Sequence, residues 1–327
     1  MKVNLHYFSD RRKGYQFDVY RRCSAAFKQK DIDLSFHPNE LPRKENSGDC
    51  IIVQHYMATP AMLGDLNRPV IIEESEDCST PQARDALALR NVVTSYKISV
   101  AKALYINCQT KSLCAWMLSK TDNYYQKHLS DYEISKIRPG IHFGMFNRMM
   151  PWIESSPSIN LDDWSHRPTD VMFAGRVDAY ISEINGHRNL FYDELKSIKK
   201  LNVICECRRI YSKNKYRELS RNAKIVVSPW GHGELCYRDF EAMLDGCILI
   251  KPNTDFIRVL DNILQAGKTY IPCSYDATDL EEIIHFVLKN PESFDEMRSR
   301  NRQMALDCFS PDYIATWWKN QFANFSI

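Results

Sequence analysis

The chain has 327 residues, which is long enough for two domains of ordinary size, each with a hydrophobic core of its own. Lysine and arginine number 43 against 41 aspartate and glutamate, so the formal charge of +2 excludes the global basic field that nucleic-acid-binding proteins carry. The 11 cysteines show no paired Cys-x-x-Cys spacing, which argues against a zinc ribbon and favours a reducing cytoplasm.

The chain begins with a predicted strand, MKVNLHYF, which lacks the continuous apolar core of a signal peptide. No apolar run approaches the roughly 18 residues that a transmembrane helix needs. We therefore expect a cytoplasmic protein, with peripheral contact at the inner membrane face left open as an alternative.

The N-terminal half alternates short apolar runs with helical segments. After the first strand we predict a helix over residues 15–30 and strands at DLSFHP (33–38), DCIIVQHYM (49–57), RPVIIEES (68–75) and NVVTSYK (91–97). This alternation is typical of a Rossmann-like sheet. Residues 151–169 contain several prolines and serines and are predicted to be an interdomain linker, so the first domain is expected over 1–150.

The C-terminal half shows the same period without repeating the sequence. The predicted elements are strands at VMFAG (171–175) and NVICEC (202–207), a helix over about 212–222, strands at KIVV (224–227) and CILIKP (247–252), a helix at FIRVLDNILQAG (256–267) capped by Gly267, a strand at TYIPCS (269–274) and helices from 279. We expect a second doubly wound parallel sheet over 170–310 and a final helix over 311–327 that packs back on the first domain.

Residues 228–252, SPWGHGELCYRDFEAMLDGCILIKP, join a strand, a glycine-bearing turn, a helix and a second strand. Glu234, Arg238 and Glu241 are spaced by four and then three residues, so on one helix they would share an arc of roughly 60°. The first helical turn also offers unpaired N–H groups to an anion. The alternative is an amphipathic helix with a solvated ion pair; the preceding glycine turn favours the ligand site.

This segment resembles the C-terminal half of GT-B glycosyltransferases, the group that includes the group 1 and exostosin-like families. The elements that carry the resemblance are a glycine turn, two glutamates, an arginine and Gly-Cys before an apolar strand: Gly231, Gly233, Glu234, Arg238, Glu241, Ala242, Met243, Gly246 and Cys247. The usual pair of glutamates has seven residues between them, whereas Glu234 and Glu241 have six, and this spacing is closer to the exostosin-like variant. RPGIHFGMF (138–146) also resembles the segment at which GT-B chains leave their first domain.

The resemblance implies an α/β GT-B fold, with two Rossmann-like doubly wound domains facing a central cleft, and transfer of a sugar from a nucleotide-sugar donor. Departure of the sugar leaves negative charge on a diphosphate, which cations or oriented N–H donors must stabilise. The Asp-x-Asp match at Asp31 and Asp33 is interpreted as a surface loop, so we expect a site without metal or other cofactor. Arg176 and Arg238 rank as the first diphosphate ligands, and the further donor-binding candidates are Arg188, Tyr211, Lys215, Trp230, His232, Gly233 and Glu241.

The acceptor side has to supply a base if the reaction inverts the sugar. Such a base belongs at the carboxyl ends of the N-terminal strands, where His55 and Glu74 stand; Glu234 is the third catalytic candidate, on the donor side. The candidates for acceptor binding are Arg11, Arg12, Glu73 and Asp77.

The expected acceptor is a glycan or a lipid-linked saccharide of polysaccharide biosynthesis. Trp317, Trp318, Phe322 and Phe325 could contact a membrane, although a packed final helix is the favoured interpretation. Two other functions stay open: a non-catalytic scaffold that binds nucleotide sugars, and a nucleotide-sugar epimerase on the same fold.

Overall fold

The computed structural model describes residues 1–9, 17–74, 84–97, 99–101, 130–140, 143–154, 160–178, 182–208, 210–231, 234–255, 257–260 and 263–327. Its strands are β1 (Lys2–Tyr7), β2 (Asp33–Pro38), β3 (Cys50–Gln54), β4 (Val70–Glu74), β5 (Val92–Lys97), β6 (Ser99–Ala101), β7 (Ile137–Pro139), β8 (Thr169–Ala174), β9 (Val203–Glu206), β10 (Ala223–Val227), β11 (Ile248–Pro252), β12 (Ile257–Val259) and β13 (Ile271–Cys273). Its helices are α1 (Asp18–Arg22), α2 (Ser24–Gln29), α3 (Pro60–Leu63), α4 (Asp131–Ser135), α5 (Phe143–Glu154), α6 (Ser182–Ser197), α7 (Lys213–Arg221), α8 (Tyr237–Leu244), α9 (Leu280–Lys289), α10 (Asp295–Cys308) and α11 (Pro311–Asn324).

The N-terminal half forms a parallel sheet with the strand order β2-β1-β3-β4-β5-β7 in the described chain. All five strands predicted for this half are confirmed. Neighbouring residues of β3 face different apolar clusters, because Ile52 packs with α1 and α2 while Ile51 and Val53 pack with Leu63 and Leu66. The sheet is therefore buried on both faces, as a doubly wound sheet is.

The C-terminal half forms a second parallel sheet, in the order β13-β11-β10-β8-β9. Met172 and Val226 belong to the cluster that includes α8 and α10, whereas Val171 and Ile225 belong to the cluster that includes α6 and α9. This sheet is also covered on both faces. Successive connections from β8 run first to β9 and then back past β8 to β10, which places a topological switch point between β8 and β10.

Two predicted helices differ from the structure. The helix predicted over 15–30 is interrupted at Cys23 into α1 and α2, and residues 10–16 lie outside the described part. The helix predicted over 256–267 is wrong: Ile257–Val259 is a strand, β12, that pairs antiparallel with β6 from the N-terminal half. Gly267 is no helix cap; with φ of +73° it donates to the carbonyl of Tyr270 in a turn. The helix prediction failed because the partner of β12 lies more than 150 residues away in the chain.

Helices α5 and α11 connect the two halves. The first-domain boundary predicted after residue 150 falls inside α5, which contains Pro151 and packs against α8. Helix α11 packs against α2, and its Trp318 contacts the rings of Tyr20 and Tyr96. Trp317 and Trp318 are buried, so they face the interior rather than a membrane. No helix in the described part of the chain is long and apolar enough to cross a bilayer.

Candidate functional site

The carboxyl end of β8 lies beneath two arginine side chains. A Cβ atom at Gly175 would stand 2.2 Å from Nη2 of Arg238 and 2.4 Å from Nη2 of Arg188. The two Nη2 atoms are therefore no more than 4.6 Å apart, above the first residue after the strand. Arg188 comes from α6 and Arg238 from the first turn of α8, so helices on either side of the sheet supply one guanidinium each.

Both guanidinium groups also lie against one aromatic ring. Their Cζ atoms are 5.8 Å (Arg188) and 5.1 Å (Arg238) from the centre of the Phe173 ring, a distance at which a cation is attracted to the ring face. Arg238 donates to the carbonyl of Ala174 at 3.1 Å, and in the described chain no carboxylate oxygen lies within 4.0 Å of its guanidinium. Two cations held this close repel each other, and an anion between them would relieve that repulsion. The arrangement suits a phosphate or diphosphate at the switch point of the sheet.

Arg176 lies one residue beyond Gly175, and its role as a diphosphate ligand stays a prediction. Its side chain is 52% exposed and pairs with Asp178 at 3.3 Å, in the segment that follows Gly175. Arg188 is buried and lies beside Arg238 over Gly175. Sequence analysis ranked Arg188 lower, because the GHR segment itself does not show that α6 brings this side chain to the end of β8.

The start of α8 is held by a buried ionic network. Nζ of Lys251 lies 2.6 Å from Oδ2 of Asp239 and donates to the carbonyl of Glu234 at 2.5 Å. Asp239 also accepts from Ser228 Oγ at 2.6 Å and from the backbone N–H of Cys236 at 2.9 Å. The network joins β10, β11 and the first turn of α8, so it fixes the turn between strand and helix. Sequence reasoning missed it, although a lysine inside the apolar run CILIKP was an available signal.

Glu234 does not lie on the helix with Arg238 and Glu241, as the spacing had predicted. The helix begins at Tyr237, and Glu234 is buried in the turn before it. The prediction failed because the N-cap position belongs to Cys236, whose backbone N–H is bound by the carboxylate of Asp239.

Glu241 is buried rather than displayed on an open helix face. Its side chain is 2% exposed, and its Oε1 accepts from Nε of Arg148 at 2.9 Å and from Nη2 of Arg148 at 2.8 Å. Burial is the main cause of a raised pKa of Tyr216. The negative charge of Glu241 raises this pKa further, because the Tyr216 hydroxyl group lies close to the carboxylate. Sequence reasoning missed Arg148 because it stands on α5, far away along the chain.

Trp230 lies in a closed aromatic cluster behind the turn. It is buried, and its ring centre is 5.1 Å from that of His187 and 5.6 Å from that of Tyr275. His187 stacks on Tyr275 at 4.3 Å, and burial, helped by the charge of Arg188, lowers its pKa to about 3. Trp230 thus packs in the interior together with this neutral histidine, the neighbour of Arg188 in the sequence, and its role in donor binding stays a prediction.

Tyr211 and Lys215 follow β9 at the same edge of the sheet. Tyr211 is half-buried, and desolvation followed by the charge of Glu206 raises its pKa. Lys215 is exposed and pairs with Glu218 on its own helix at 2.7 Å. The predicted helix over 212–222 is confirmed as α7, with the Ser212 side chain accepting from the backbone N–H of Lys215.

The base candidates of the first half lie at the carboxyl end of its sheet. His55 starts a 3-10 turn directly after β3, and Glu73 and Glu74 are the last two residues of β4 rather than loop residues. All three are buried, and Oε1 of Glu74 accepts from Ser95 Oγ at 2.7 Å. The three side chains therefore lie inside the protein at the carboxyl ends of β3 and β4, which is the end of the sheet that an acceptor would have to approach.

Five predicted site residues lie outside the described part of the chain: Arg11, Arg12, Asp77, His232 and Gly233. Asp31 lies in a turn with φ of +64° and Asp33 begins β2 at an exposed position. Among the described residues no group of three or more histidine, cysteine, aspartate or glutamate side chains could hold a metal ion.

No family model and no curated protein sequence matches the chain. Solved structures match it in fold. A glycosyltransferase from Rickettsia africae ESF-5 has a TM-score of 0.50 at 9% identity, covering 99% of this chain and 98% of that one. An alpha-glucosyltransferase solved with UDP and a 13-mer DNA has a TM-score of 0.49 at 9% identity, with 100% of both chains covered. HepE from Anabaena, solved with UDP-glucose, has a TM-score of 0.45 at 12% identity, covering 99% of this chain and 100% of that one.

At these identities the likeness concerns the fold. The two parallel, doubly wound sheets and the match to the Rickettsia glycosyltransferase show that the chain has a two-domain, Rossmann-like GT-B fold. The closer resemblance to the exostosin-like variant stays a prediction from the motif.

Proposed function

We propose that the chain is a glycosyltransferase that moves a sugar from a nucleotide-sugar donor to a glycan or lipid-linked acceptor, without a metal ion. The observation that carries the proposal is the pair of guanidinium groups from Arg188 and Arg238 above Gly175. A leaving diphosphate gains negative charge as the bond to the sugar breaks, and fixed cations stabilise that charge most in a site from which water is excluded. The switch point of the second sheet is where such a ligand binds in doubly wound folds.

The remaining donor contacts are those that the resemblance to GT-B glycosyltransferases implies. Glu241 accepts from the ribose hydroxyl groups, and Tyr211 stands beside the nucleobase at the end of β9. Glu234, in the turn, meets either the sugar or Arg238. On the acceptor side, His55 or Glu74 removes the proton from the attacking hydroxyl group.

The test is a thermal-shift screen of UDP, GDP and ADP with EDTA present, followed by turnover of the matching sugar nucleotides. We expect at least one nucleoside diphosphate to raise the melting temperature, and Arg188→Met or Arg238→Met to abolish that rise. Arg300→Met, a change at an exposed arginine that pairs with Glu296 on α10, is the matched control and should keep the rise.

The outcome of the turnover assay separates the alternatives. Sugar transfer to acceptor extracts supports the proposal. Binding without turnover, even with extracts, would favour a non-catalytic scaffold, and epimerised donor in the absence of acceptor would favour an epimerase. A chain that binds none of the three nucleotides contradicts the proposal at its first step.

A further inference from the structure

Arg148 ties the helix that leaves the first sheet to the carboxylate of Glu241. Its Nε and Nη2 atoms lie 2.9 Å and 2.8 Å from Oε1 of Glu241, so one oxygen receives both bonds. The guanidinium also lies 4.9 Å from the centre of the Tyr237 ring, at the first residue of α8. Three contacts therefore hold the Arg148 side chain in one place on α8.

The exposure of the two partners is unequal. The side chain of Glu241 is 2% exposed, whereas that of Arg148 is 48% exposed. A buried carboxylate needs a fixed counter-charge and hydrogen-bond donors, and among the described residues Arg148 is the cation that pairs with it. The buried carboxylate of Glu241 is thus held by a side chain that itself reaches the surface.

Besides Arg148, the hydroxyl group of Tyr216 lies against the Glu241 carboxylate. Arg148 binds Oε1 alone, and the other oxygen, Oε2, is free of any bond from this arginine. Glu241 stands one helical turn beyond Arg238, whose guanidinium is part of the proposed diphosphate site. A hydroxyl group attached close to a diphosphate would come within reach of this carboxylate.

We propose that Arg148 is a positioning residue, which orients Glu241 before the donor arrives so that its carboxylate accepts from the ribose hydroxyl groups. This inference rests on the proposed function. A side chain that is already oriented loses less conformational freedom on binding, so its hydrogen bonds to the ligand contribute more affinity. Because α5 follows β7, the last strand of the first sheet, the first half of the chain thereby helps to form the donor site in the second.

The test compares a ligand that has a ribose with one that lacks it. The binding constants of the preferred nucleoside diphosphate and of inorganic pyrophosphate are measured for the wild type, Arg148→Met, Glu241→Gln and the double variant. We expect Arg148→Met to weaken nucleotide binding about tenfold, as the loss of an oriented hydrogen bond to a charged group does. Pyrophosphate binding should change less than twofold, and Glu241→Gln should add little in the Arg148→Met background.

Trp152→Phe is the matched control. Trp152 donates from Nε1 to Asp245 at 2.9 Å and so joins the same two helical segments one turn further along α5. It should lower stability without changing the ratio of the two affinities.

Three results would overturn the inference: equal losses for both ligands, no loss for either, or tighter nucleotide binding in Arg148→Met, which would make the arginine a competitor of the ribose. Failure of the wild type to bind any nucleotide would instead be the failure of the proposed function.

Discussion

Gly175 stands at the carboxyl end of β8 with two guanidinium groups where a side chain would otherwise be. Glycine is needed here because there is no room for a side chain, and not because of the backbone, which does not adopt the left-handed conformation that favours glycine. The atoms that crowd the position are the far ends of Arg188 and Arg238, which are long side chains. A methyl group here would therefore move the charges more than it would disturb the backbone.

Gly175→Ala is expected to weaken pyrophosphate and nucleotide binding about tenfold, because both guanidinium groups must leave their positions over the strand end. The free energy of unfolding should change by about 1 kcal/mol or less, since flexible side chains can move away. Isothermal titration and urea unfolding measure the two effects separately.

Gly186→Ala is the control for this prediction. Gly186 lies in α6, exposed and with no atom within 4 Å of an added Cβ, so the change should stabilise the helix by about 0.5–1 kcal/mol and leave binding unchanged. Unaltered binding in Gly175→Ala would show that the arginine pair is not the anion site.

At the scale of secondary-structure elements, the position of helix α8 is fixed by charged side chains that are fully buried. Lys251 in β11, Asp239 in α8 and Ser228 after β10 are fully buried and bound to one another. A buried ion pair contributes little net stability compared with apolar groups, but breaking it leaves a charge without a partner. The network thus fixes the position of the turn that carries Glu234 and of the first turn of α8, which carries Arg238.

Lys251→Met is expected to lower the free energy of unfolding by about 3–5 kcal/mol, because the carboxylate of Asp239 stays buried without its counter-charge. Adding Asp239→Asn should restore part of this loss, since the amide oxygen can still accept from Cys236 and no charge is left buried. Urea denaturation of the two variants measures both.

Lys224→Met provides the comparison. It breaks a more exposed pair with Asp170 of β8, at 2.8 Å, and should cost about 1 kcal/mol or less. A similar, small loss in Lys224→Met and Lys251→Met would rule out a special role for the buried pair.

For the whole molecule, one apolar cluster runs through both halves. It contains Leu5 and Tyr20 of the first half together with Phe240 of α8 and Trp318 of α11. Tyr96 donates its hydroxyl hydrogen to Gln321 at 2.8 Å, and Lys30 pairs with Asp312 at 2.9 Å, so polar contacts accompany the apolar ones. Residues more than 200 positions apart thereby form one packed region, which couples the stability of the two sheets.

Trp318→Ala is expected to lower the free energy of unfolding by about 3–5 kcal/mol, through lost burial and the cavity that it leaves. Far-ultraviolet circular dichroism in urea reports the change through the secondary structure of both halves. Phe286→Ala, at an exposed position on α9, should stay within about 0.5 kcal/mol of the wild type. Equal effects of the two substitutions would show that the shared cluster does not stabilise the molecule.

Much of the fold could be predicted because its strands are short apolar runs between helical segments. All strands of the two Rossmann-like sheets except β7, and the Ser212-capped helix α7, are encoded locally, through side-chain pattern and capping chemistry. β12 could not be predicted, since its pairing partner β6 belongs to the other half of the chain. The helix start at Tyr237 was misplaced for a related reason, because the buried partners of Asp239 decide it.

The candidate site could likewise be predicted only in part. The sequence by itself determined two parallel, doubly wound sheets and an arginine and a glutamate beyond the glycine turn, since period, turn residues and spacing are properties of neighbouring residues. Only the tertiary structure decided that Arg188 stands beside Arg238, that Lys251 holds the turn, and that Arg148 holds Glu241. Charge pairs of this kind depend on distances in space, and the packing of helices on sheets sets those distances.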